Sequence, residues 1–410
     1  MKIDIILIKQ LYHKNRKHAS LLPMIKSQFF GNYNFDGRFT MIRVLEVISD
    51  TNIGGAGVLL INRLKHVDAS KFKTCVVVPR GSALVSRLKD IGAECVELDV
   101  HGDRSMDLRA VKKFCDVIRA YSPDIVNSHG CISARIAAKL CGVPVKICTR
   151  HCVFPVSKRY RIIKPFAAAF NASLSDVFIA VAESAKENLI SLGVPQNKIT
   201  VIINGAEPLK ICSDEQKTAI RESLGISADT PVLSFCARLE KCKGHEWFLE
   251  SLVLLKKRGI DFVALFIGDG SQRQSLEQKC RELGIWNEVR FIGFAYDTSP
   301  YMNIANININ CSVGTETSSL ALSEGMSLGL PAAVSDYGGN TYMIKHGING
   351  LVCKCYDREA MAENIENLIK YKKFYAKLSH NARLRFRDEL NAANMARKTY
   401  ELYEKLYKKI

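Results

Sequence analysis

Apolar runs typical of buried strands alternate along the chain with segments of helical periodicity. Beginning at Met41, the apolar runs lie at 42–48, 73–78, 94–97, 124–127, 145–150, 176–181 and 199–203. After a polar segment, a second series follows at 232–236, 262–267, 289–292 and 306–310. Regular alternation predicts parallel sheets covered by helices on both faces, with ligands at the carboxyl ends of the strands. The pattern therefore predicts an α/β protein with two Rossmann-like doubly wound domains, residues 41–205 and 206–385, facing each other across a cleft.

Residues 1–40 show no clean periodicity and carry seven Lys/Arg against two Asp/Glu. We expect a basic N-terminal extension there; the alternative that Met41 is the true start stays open. The first nine residues contain an acid and only a short apolar core, which is not typical of a signal peptide. No apolar run reaches the ~18 residues that a membrane span needs.

The net charge of +17 is concentrated in three segments, with +5 in 1–40, +6 in 141–173 and +7 in 371–410. Local excesses of this kind indicate contact with a polyanion, either an anionic membrane surface or nucleic acid, although a solvated basic surface explains them equally well. The 14 Cys are scattered without a pair of CxxC units. We therefore expect a reduced, cytoplasmic environment and no structural zinc site.

The stretch 314–326 is the strongest candidate for a ligand site. A short apolar strand precedes it, Ser318 and Ser319 occupy positions typical of helix N-caps, and a helical pattern follows. A helix N-terminus attracts anions, phosphate above all. Glu316 and Glu324 are separated by about 12 Å of helical rise, too far for the carboxylate pair of a glycoside hydrolase, so Glu316 is expected to bind hydroxyl groups. An ordinary βα turn with two surface glutamates is the alternative.

Two other loops add phosphate-binding potential. Arg238 and Lys243 flank a loop at the end of a predicted strand and suit a diphosphate. The loop Gly54-Gly55-Ala56-Gly57 follows the first strand but lacks the G-x-G-x-x-G spacing of a dinucleotide site. We expect it to approach a phosphate or a sugar rather than NAD.

The first domain contributes a polar and basic rim. His129 and His151 each follow a predicted strand, where an imidazole serves as a polar or proton-shuttling group. The segment 157–166 is basic and aromatic and includes Lys158 and Arg159. It is suited to an anionic membrane interface or to the phosphate of an acceptor, and a solvated surface is the alternative.

These motifs resemble those of the retaining, nucleotide-sugar-dependent glycosyltransferases of the GT-B fold, family 4 (glycosyltransferase group 1), of the bacterial polysaccharide-biosynthesis type. The resemblance runs from Met41 to about Lys408 and rests on the order and spacing of individually weak motifs. They are Gly54-Gly55, Pro123-Asp124-Ile125-Val126 before His129, Val201-Ile202-Ile203-Asn204-Gly205, Arg238-Leu239 with Lys243-Gly244, Gly268-Asp269-Gly270, Val289-Arg290-Phe291-Ile292-Gly293, Glu316 to Glu324, Gly329-Leu330-Pro331 and Gly338-Gly339.

The resemblance implies a role for each matching position. Arg238 and Lys243 would hold the donor diphosphate, Glu316 the transferred sugar, and His129 the donor sugar or the acceptor. The remaining donor-binding positions would be Gly55 and the backbone of Ser319, Leu320 and Ala321 at the phosphates, Glu324 at the ribose, and Gly293 with Phe294 at the base. His151, Lys158 and Arg159 would face the acceptor.

The same resemblance implies a hexosyltransferase that uses a UDP-sugar as co-substrate, retains the anomeric configuration and needs no metal or other cofactor. Its acceptor would be a glycan or a lipid-linked sugar at the inner face of the plasma membrane, with no nucleic acid involved. The final helix, in residues 386–410, would cross back onto the first domain. One departure is Thr317, where the family often has Gly; the added hydroxyl is expected to influence donor choice.

Two alternatives remain. A GT-B-type UDP-sugar epimerase would act on the donor without an acceptor. A basic, non-catalytic binding protein would bind nucleic acid or another transferase, as the net charge of +17 suggests.

Overall fold

The computed structural model describes residues 41–49, 51, 54–100, 107–153 and 158–410, with side chains in the helix beginning at Lys158 described from position 165 onward. Within these ranges the chain forms two α/β domains, each built on a sheet of parallel strands. The chain crosses between the domains at two places, near Ala206 and near Asn391. The predicted basic extension, residues 1–40, lies outside the described residues.

The first domain contains every strand that its hydrophobic pattern predicts. The strands are β1 (Ile42–Val47), β2 (Phe72–Pro79), β3 (Glu94–Leu98), β4 (Ile125–Ser128), β5 (Val145–Arg150), β6 (Val177–Ala180) and β7 (Ile199–Val201). The helices between them are α1 (Gly55–Leu64), α2 (Leu84–Asp90), α3 (Leu108–Tyr121), α4 (Ile132–Leu140), α5 (Lys158–Ser173) and α6 (Glu183–Ser191). The seven strands are parallel and lie in the order β3-β2-β1-β4-β5-β6-β7.

The second domain repeats this plan with six strands. They are β8 (Val232–Cys236), β9 (Val263–Ile267), β10 (Val289–Gly293), β11 (Ile307–Asn310), β12 (Ala332–Ser335) and β13 (Gly350–Cys353). Its helices are α7 (Asp214–Ser223), α8 (His245–Lys257), α9 (Arg273–Glu282), α10 (Ser299–Asn303), α11 (Leu320–Ser327), α12 (Asn340–Met343), α13 (Arg358–Lys370) and α14 (Lys372–Arg385). The sequence analysis predicted four of these six strands and missed β12 and β13, which are each four residues long; β13 also begins with glycine.

The strand order of the second sheet is β10-β9-β8-β11-β12-β13. In both sheets the strands are added first on one side of the first strand and then on the other, so the strand order reverses beside β1 and beside β8. All five residues of β9 are buried, as expected for a strand covered on both faces. Ligands of open parallel sheets bind at such reversal points, outside the carboxyl ends of the strands. In the second domain this point lies between β8 and β11, which carry the loops that hold Lys243 and Glu316.

Two neighbouring chain crossings connect the domains. The backbone N–H of Ala206 donates to the carbonyl of Leu390 at 3.0 Å, and that of Ala392 donates to the carbonyl of Ala206 at 2.8 Å. A β-carbon at Gly205 would overlap the carbonyl of Asn391, so only glycine permits this contact. The final helix, α15 (Ala392–Tyr407), then packs against the first domain. The two crossings between the domains therefore lie side by side.

Candidate active site

The N-terminus of helix α11 faces the reversal point of the second sheet. The Ser319 hydroxyl caps the helix by accepting from the N–H of Leu322 at 3.3 Å. The preceding Thr315 has a φ of 51°, a left-handed conformation that is rare for a β-branched residue. A β-carbon at Gly339 would overlap the carbonyl of Thr317, so glycine allows a second loop to pack closely here. This packing fixes the loop that leads into α11, whose first backbone N–H groups have no partner within the helix.

Glu316 is the buried centre of this site. Its Oε2 atom accepts hydrogen bonds from Lys243 Nζ at 2.8 Å, Ser312 Oγ at 3.0 Å and Asn310 Nδ2 at 3.3 Å. Oε1 has no hydrogen-bond partner within the described ranges. The carboxylate is therefore held by one oxygen and presents the other, as binding of a sugar hydroxyl requires.

Arg238 and Lys243 lie on one loop, between β8 and α8. Lys243 ends a short 3-10 turn, and Gly244, with a φ of 76°, is the N-cap residue of α8. Arg238 is exposed, and its guanidinium makes no hydrogen bond to the described residues. One cation is thus already paired with Glu316 and the other is available to an anion, beside a helix N-terminus that also favours anions.

Glu324 and Phe294 form a second part of the site, away from Arg238 and Lys243. The Thr298 hydroxyl donates to Glu324 Oε2 at 3.4 Å, and burial raises the pKa of the Glu324 carboxyl above its usual value. Phe294, directly after Gly293 at the end of β10, is exposed and meets Tyr296 edge-on with ring centroids 4.9 Å apart. Arg87 of the first domain lies 5.6 Å from the Tyr296 ring centroid. This aromatic corner therefore lies where the two domains meet.

The predicted rim histidines form a pair in the first domain. His129 Nδ1 lies 2.7 Å from His151 Nε2, and the two rings are stacked. His129 Nε2 lies 3.1 Å from Glu46 Oε2, so both ring nitrogens of His129 are engaged. The Thr317 hydroxyl donates to the backbone carbonyl of His151 at 2.9 Å. The unusual threonine thus joins the two domains rather than pointing freely into a sugar pocket.

A buried charged cluster behind the histidines was missed in the sequence. Glu46 Oε1 pairs with Arg63 NH2 at 2.7 Å and accepts from the Tyr403 hydroxyl at 3.0 Å. The available signal was a glutamate inside the apolar strand Ile42–Val47, where a charge requires a partner. Its partners come from α1 and α15, which the sequence pattern does not bring together.

Three further predicted positions are less engaged. Gly55 is the exposed first residue of α1, and a β-carbon there would contact nothing within 4 Å. Lys158 and Arg159 begin α5, but their side chains lie outside the described residues. Across the described ranges, no group of three or more His, Cys, Asp or Glu side chains could hold a metal ion.

Comparisons with known proteins agree across both domains. Residues 53–208 match the family Glycosyltransferase Family 4, and residues 216–385 match Glycosyl transferases group 1. An uncharacterized glycosyltransferase of Methanocaldococcus jannaschii is 29% identical over 55% of this chain and 59% of its own length. The UDP-Gal:alpha-D-GlcNAc-diphosphoundecaprenol alpha-1,3-galactosyltransferase of Escherichia coli is 25% identical over 72% of this chain and 79% of its length. The crystal structure of Anabaena HepE with UDP-glucose superposes with a TM-score of 0.76 at 20% identity, covering 89% of this chain and all of that one.

Proposed function

Because the chain belongs to the group 1, family 4 glycosyltransferases, we propose that it transfers a hexosyl group from a UDP-sugar to a glycan or lipid-linked acceptor with retention of the anomeric configuration. The contact between Lys243 Nζ and Glu316 Oε2, at 2.8 Å, carries this proposal. A nucleotide-sugar joins a diphosphate, which needs a cation, to a sugar, whose hydroxyls suit a carboxylate. Here the two partners stand side by side at a helix N-terminus.

The site would act chiefly by electrostatic stabilisation. Arg238, Lys243 and the backbone N–H groups at the start of α11 would stabilise the charge that develops on the leaving diphosphate. Glu316 Oε1 would hold the transferred sugar, and Glu324 would hold the ribose. The leaving phosphate oxygen would take the acceptor's proton on the same face of the sugar. The cationic side chains would serve where other transferases use a metal ion, and bending at the paired crossings near Ala206 would close the cleft over the donor.

The activities for which similar proteins are named support the choice of donor and acceptor. The Escherichia coli relative is named for a UDP-sugar donor and a diphosphoundecaprenol-linked acceptor, and the Anabaena structure holds UDP-glucose. The three basic segments of this chain suit an acceptor at an anionic membrane face. We therefore propose a peripheral enzyme of cell-surface polysaccharide synthesis, on the cytoplasmic side of the membrane.

A thermal-shift screen tests the proposed donor. UDP-sugars are expected to raise the unfolding midpoint more than GDP- and ADP-sugars at equal concentration, since a ligand at 100 times its dissociation constant stabilises the native state by about 2.7 kcal/mol. Stabilisation by GDP- or ADP-sugars alone would contradict the proposed base. Incubation with the donor alone provides the control against an epimerase, because an epimer formed without acceptor would contradict transfer.

The proposed membrane contact involves helices α4 and α5. Arg135 of α4 holds the two helices together, because its NH2 donates a hydrogen bond to the carbonyl of Asn171 of α5 at 2.6 Å. Phe166 and Phe170 on α5 are 83% and 46% exposed. No helix in the described part of the chain has the length and apolar character to cross a bilayer. Exposed aromatic residues in a basic segment are typical of interfacial binding.

Co-sedimentation tests this contact. The wild type is expected to bind anionic vesicles and not neutral ones. The double variant F166S/F170S should bind at least ~10-fold more weakly, because burying one large apolar side chain contributes about 1.5–3 kcal/mol. Ile211→Ser is the matched control, since Ile211 is 82% exposed and lies in the second domain. Equal binding to both kinds of vesicle, or an equal effect of the control, would contradict the proposal.

A further inference from the structure

A cavity of about 380 Å³ lies in the second domain, where helices α8, α9 and α13 begin. Trp247 of α8, Gln272 before α9 and Arg358 of α13 line it, and all of its lining residues belong to this domain. Lys243 and Glu316 are not among them, so the cavity is distinct from the candidate donor site. Its volume lies within the range of about 300–1,000 Å³ that is typical of small-ligand pockets.

Two aromatic residues form part of the cavity wall. Trp247 and Tyr356 both line it, and their ring centroids are 6.2 Å apart. The indole N–H of Trp247 donates to the carbonyl of Cys311 at 3.0 Å, which holds that ring in place. Tyr356 is 62% exposed and has a φ of 66°, a left-handed conformation that is rare for a bulky residue. Strained residues of this kind cluster at ligand sites, so a binding role explains the position of Tyr356.

The charges around the cavity cancel. Three glutamates line it, and three cations line it or pair with those glutamates. They are Glu240, Glu246 and Glu250, and Lys241, Lys279 and Arg358. Glu250 pairs with Arg358 at 2.8 Å and with Lys279 at 3.1 Å, and Lys279 also pairs with Glu246 at 2.8 Å. Because strong attraction of an ion requires walls of one charge sign, this balance favours a neutral ligand.

Hydrogen-bonding groups remain available at the cavity. The side-chain amide of Gln272 and the hydroxyl of Tyr356 have no hydrogen-bond partner among the described residues. His245 also lines the cavity, and its buried ring stacks on Phe235 with centroids 4.0 Å apart. Neither ring nitrogen of His245 has a partner within the described ranges, although buried polar atoms are normally paired. The cavity can supply the missing hydroxyl group, from water or from a ligand.

The cavity also borders the junction of the two donor-site loops. The N–H of Val313, which lines the cavity, donates to the carbonyl of Cys242 at 2.9 Å. Cys242 directly precedes Lys243, and Val313 lies in the loop that leads to Glu316. A ligand in the cavity would contact this junction and favour the arrangement in which Lys243 and Glu316 are paired.

We propose that the cavity binds a neutral pyranose, free or as a unit of a glycan, and that the bound sugar strengthens donor binding by holding the two loops together. The aromatic wall suits the apolar face of a sugar ring, and the free amide and hydroxyl suit its hydroxyl groups. The binding site itself goes beyond the proposed transfer reaction. Only its effect on the donor rests on that proposed function.

Fluorine NMR tests the site, because the chain contains two Trp and labelling with 5-fluorotryptophan therefore gives two signals. Methyl α-glucoside, methyl α-galactoside and methyl N-acetyl-α-glucosaminide are titrated, with maltose and lactose as disaccharide probes. At least one probe is expected to shift the Trp247 signal saturably in the millimolar range. Trp286, which is 40% exposed and does not line the cavity, is the internal control and should not shift. A disaccharide that binds more tightly than the methyl glycosides identifies a glycan as the source, and equal affinity identifies a free sugar; both results support the site.

Tyr356→Gly separates binding from folding. Glycine adopts a φ of 66° without strain, so the unfolding midpoint should not fall, whereas sugar affinity should fall ~10-fold with the loss of the ring. Tyr371→Ser replaces another exposed tyrosine of the second domain and should bind as the wild type does. The proposal would be overturned by the absence of a Trp247 shift with every neutral probe, by an unchanged affinity in Tyr356→Gly, or by a response to inorganic phosphate instead of to the sugars.

Calorimetry with UDP tests the effect on the donor. A saturating concentration of the tightest-binding probe is expected to strengthen UDP binding by ~5-fold or more, the lower end of typical coupling between two sites, and UDP should strengthen sugar binding equally. An unchanged UDP affinity would overturn this coupling. A protein that binds the sugar beside Trp247 but neither binds UDP nor transfers sugar would instead refute the proposed function and leave the binding site standing.

Discussion

Glu316→Ala is expected to lower kcat/KM for sugar transfer by ~10²–10³-fold while leaving the fold intact. The substitution removes the Oε1 atom that would hold the transferred sugar, a loss comparable to that of one preorganised transition-state group. It also frees Lys243, whose ammonium can still pair with the diphosphate. Initial rates with UDP-sugar and acceptor measure the first effect, and thermal unfolding measures the second.

Two controls sharpen this result. Glu363→Ala removes an exposed glutamate of α13 that has no ion pair or hydrogen bond among the described residues, and it should leave the rate unchanged. UDP binding to the Glu316→Ala variant should stay within a few fold of wild type, because the diphosphate ligands remain. Full turnover of this variant would refute the role of Glu316 in transfer. If the variant also lost UDP affinity to the same extent, Glu316 would act in binding the diphosphate rather than the transferred sugar.

Arg63→Met is expected to destabilise the protein by about 3–5 kcal/mol, the usual cost of leaving a buried charge without its partner. Glu46 has almost no access to water, so it cannot recover the lost ion pair by solvation. For a domain of this size the unfolding midpoint should fall by roughly 10 °C. Urea denaturation and thermal unfolding of the two proteins provide the measurement. The double variant E46Q/R63M should recover part of the loss, because it removes both charges.

The same pair predicts a pH dependence. The Glu46 pKa is lowered from 4.5 to about 2 in the folded protein, with Arg63 as the largest opposing influence to burial. A lowered carboxyl pKa stabilises the native state above the unfolded value and loses this contribution as the pH falls towards 2. The stability difference between wild type and Arg63→Met should therefore be full at pH 7 and shrink below pH 4.5. A difference of less than 1 kcal/mol at pH 7, or one independent of pH, would contradict this account.

The two-domain α/β architecture was predictable because each unit of it is local. A strand, its loop and the following helix lie within about 30 residues, and their periodicity reflects hydrogen bonding between near neighbours. The GT-B fold expected from the sequence is confirmed by the two parallel sheets and by the similar structures. Ser319 also caps α11 as its position predicts.

The candidate donor groups were predicted for the same reason. Arg238, Lys243 and Glu316 lie in loops that follow strands of the second sheet, and parallel strands bring their carboxyl ends to one edge. Glu324 lies within the helix that follows the second of these loops. The sequence suggested separate tasks for Lys243 and Glu316. Their direct contact at 2.8 Å required the loops after β8 and β11 to be packed together, and a hydrophobic pattern carries no information about that packing.

The sequence by itself thus determined eleven of the thirteen strands, the domain plan and the residue types at the cleft. Only the tertiary structure decided the partners of the buried charges, because these partners lie far apart along the chain. Tyr403 reaches Glu46 across 357 positions, and Thr317 reaches His151 across 166. Such contacts depend on how α15 folds back and on how the domains meet. Burial then makes them strong, since a charge removed from water requires the partner that folding supplies.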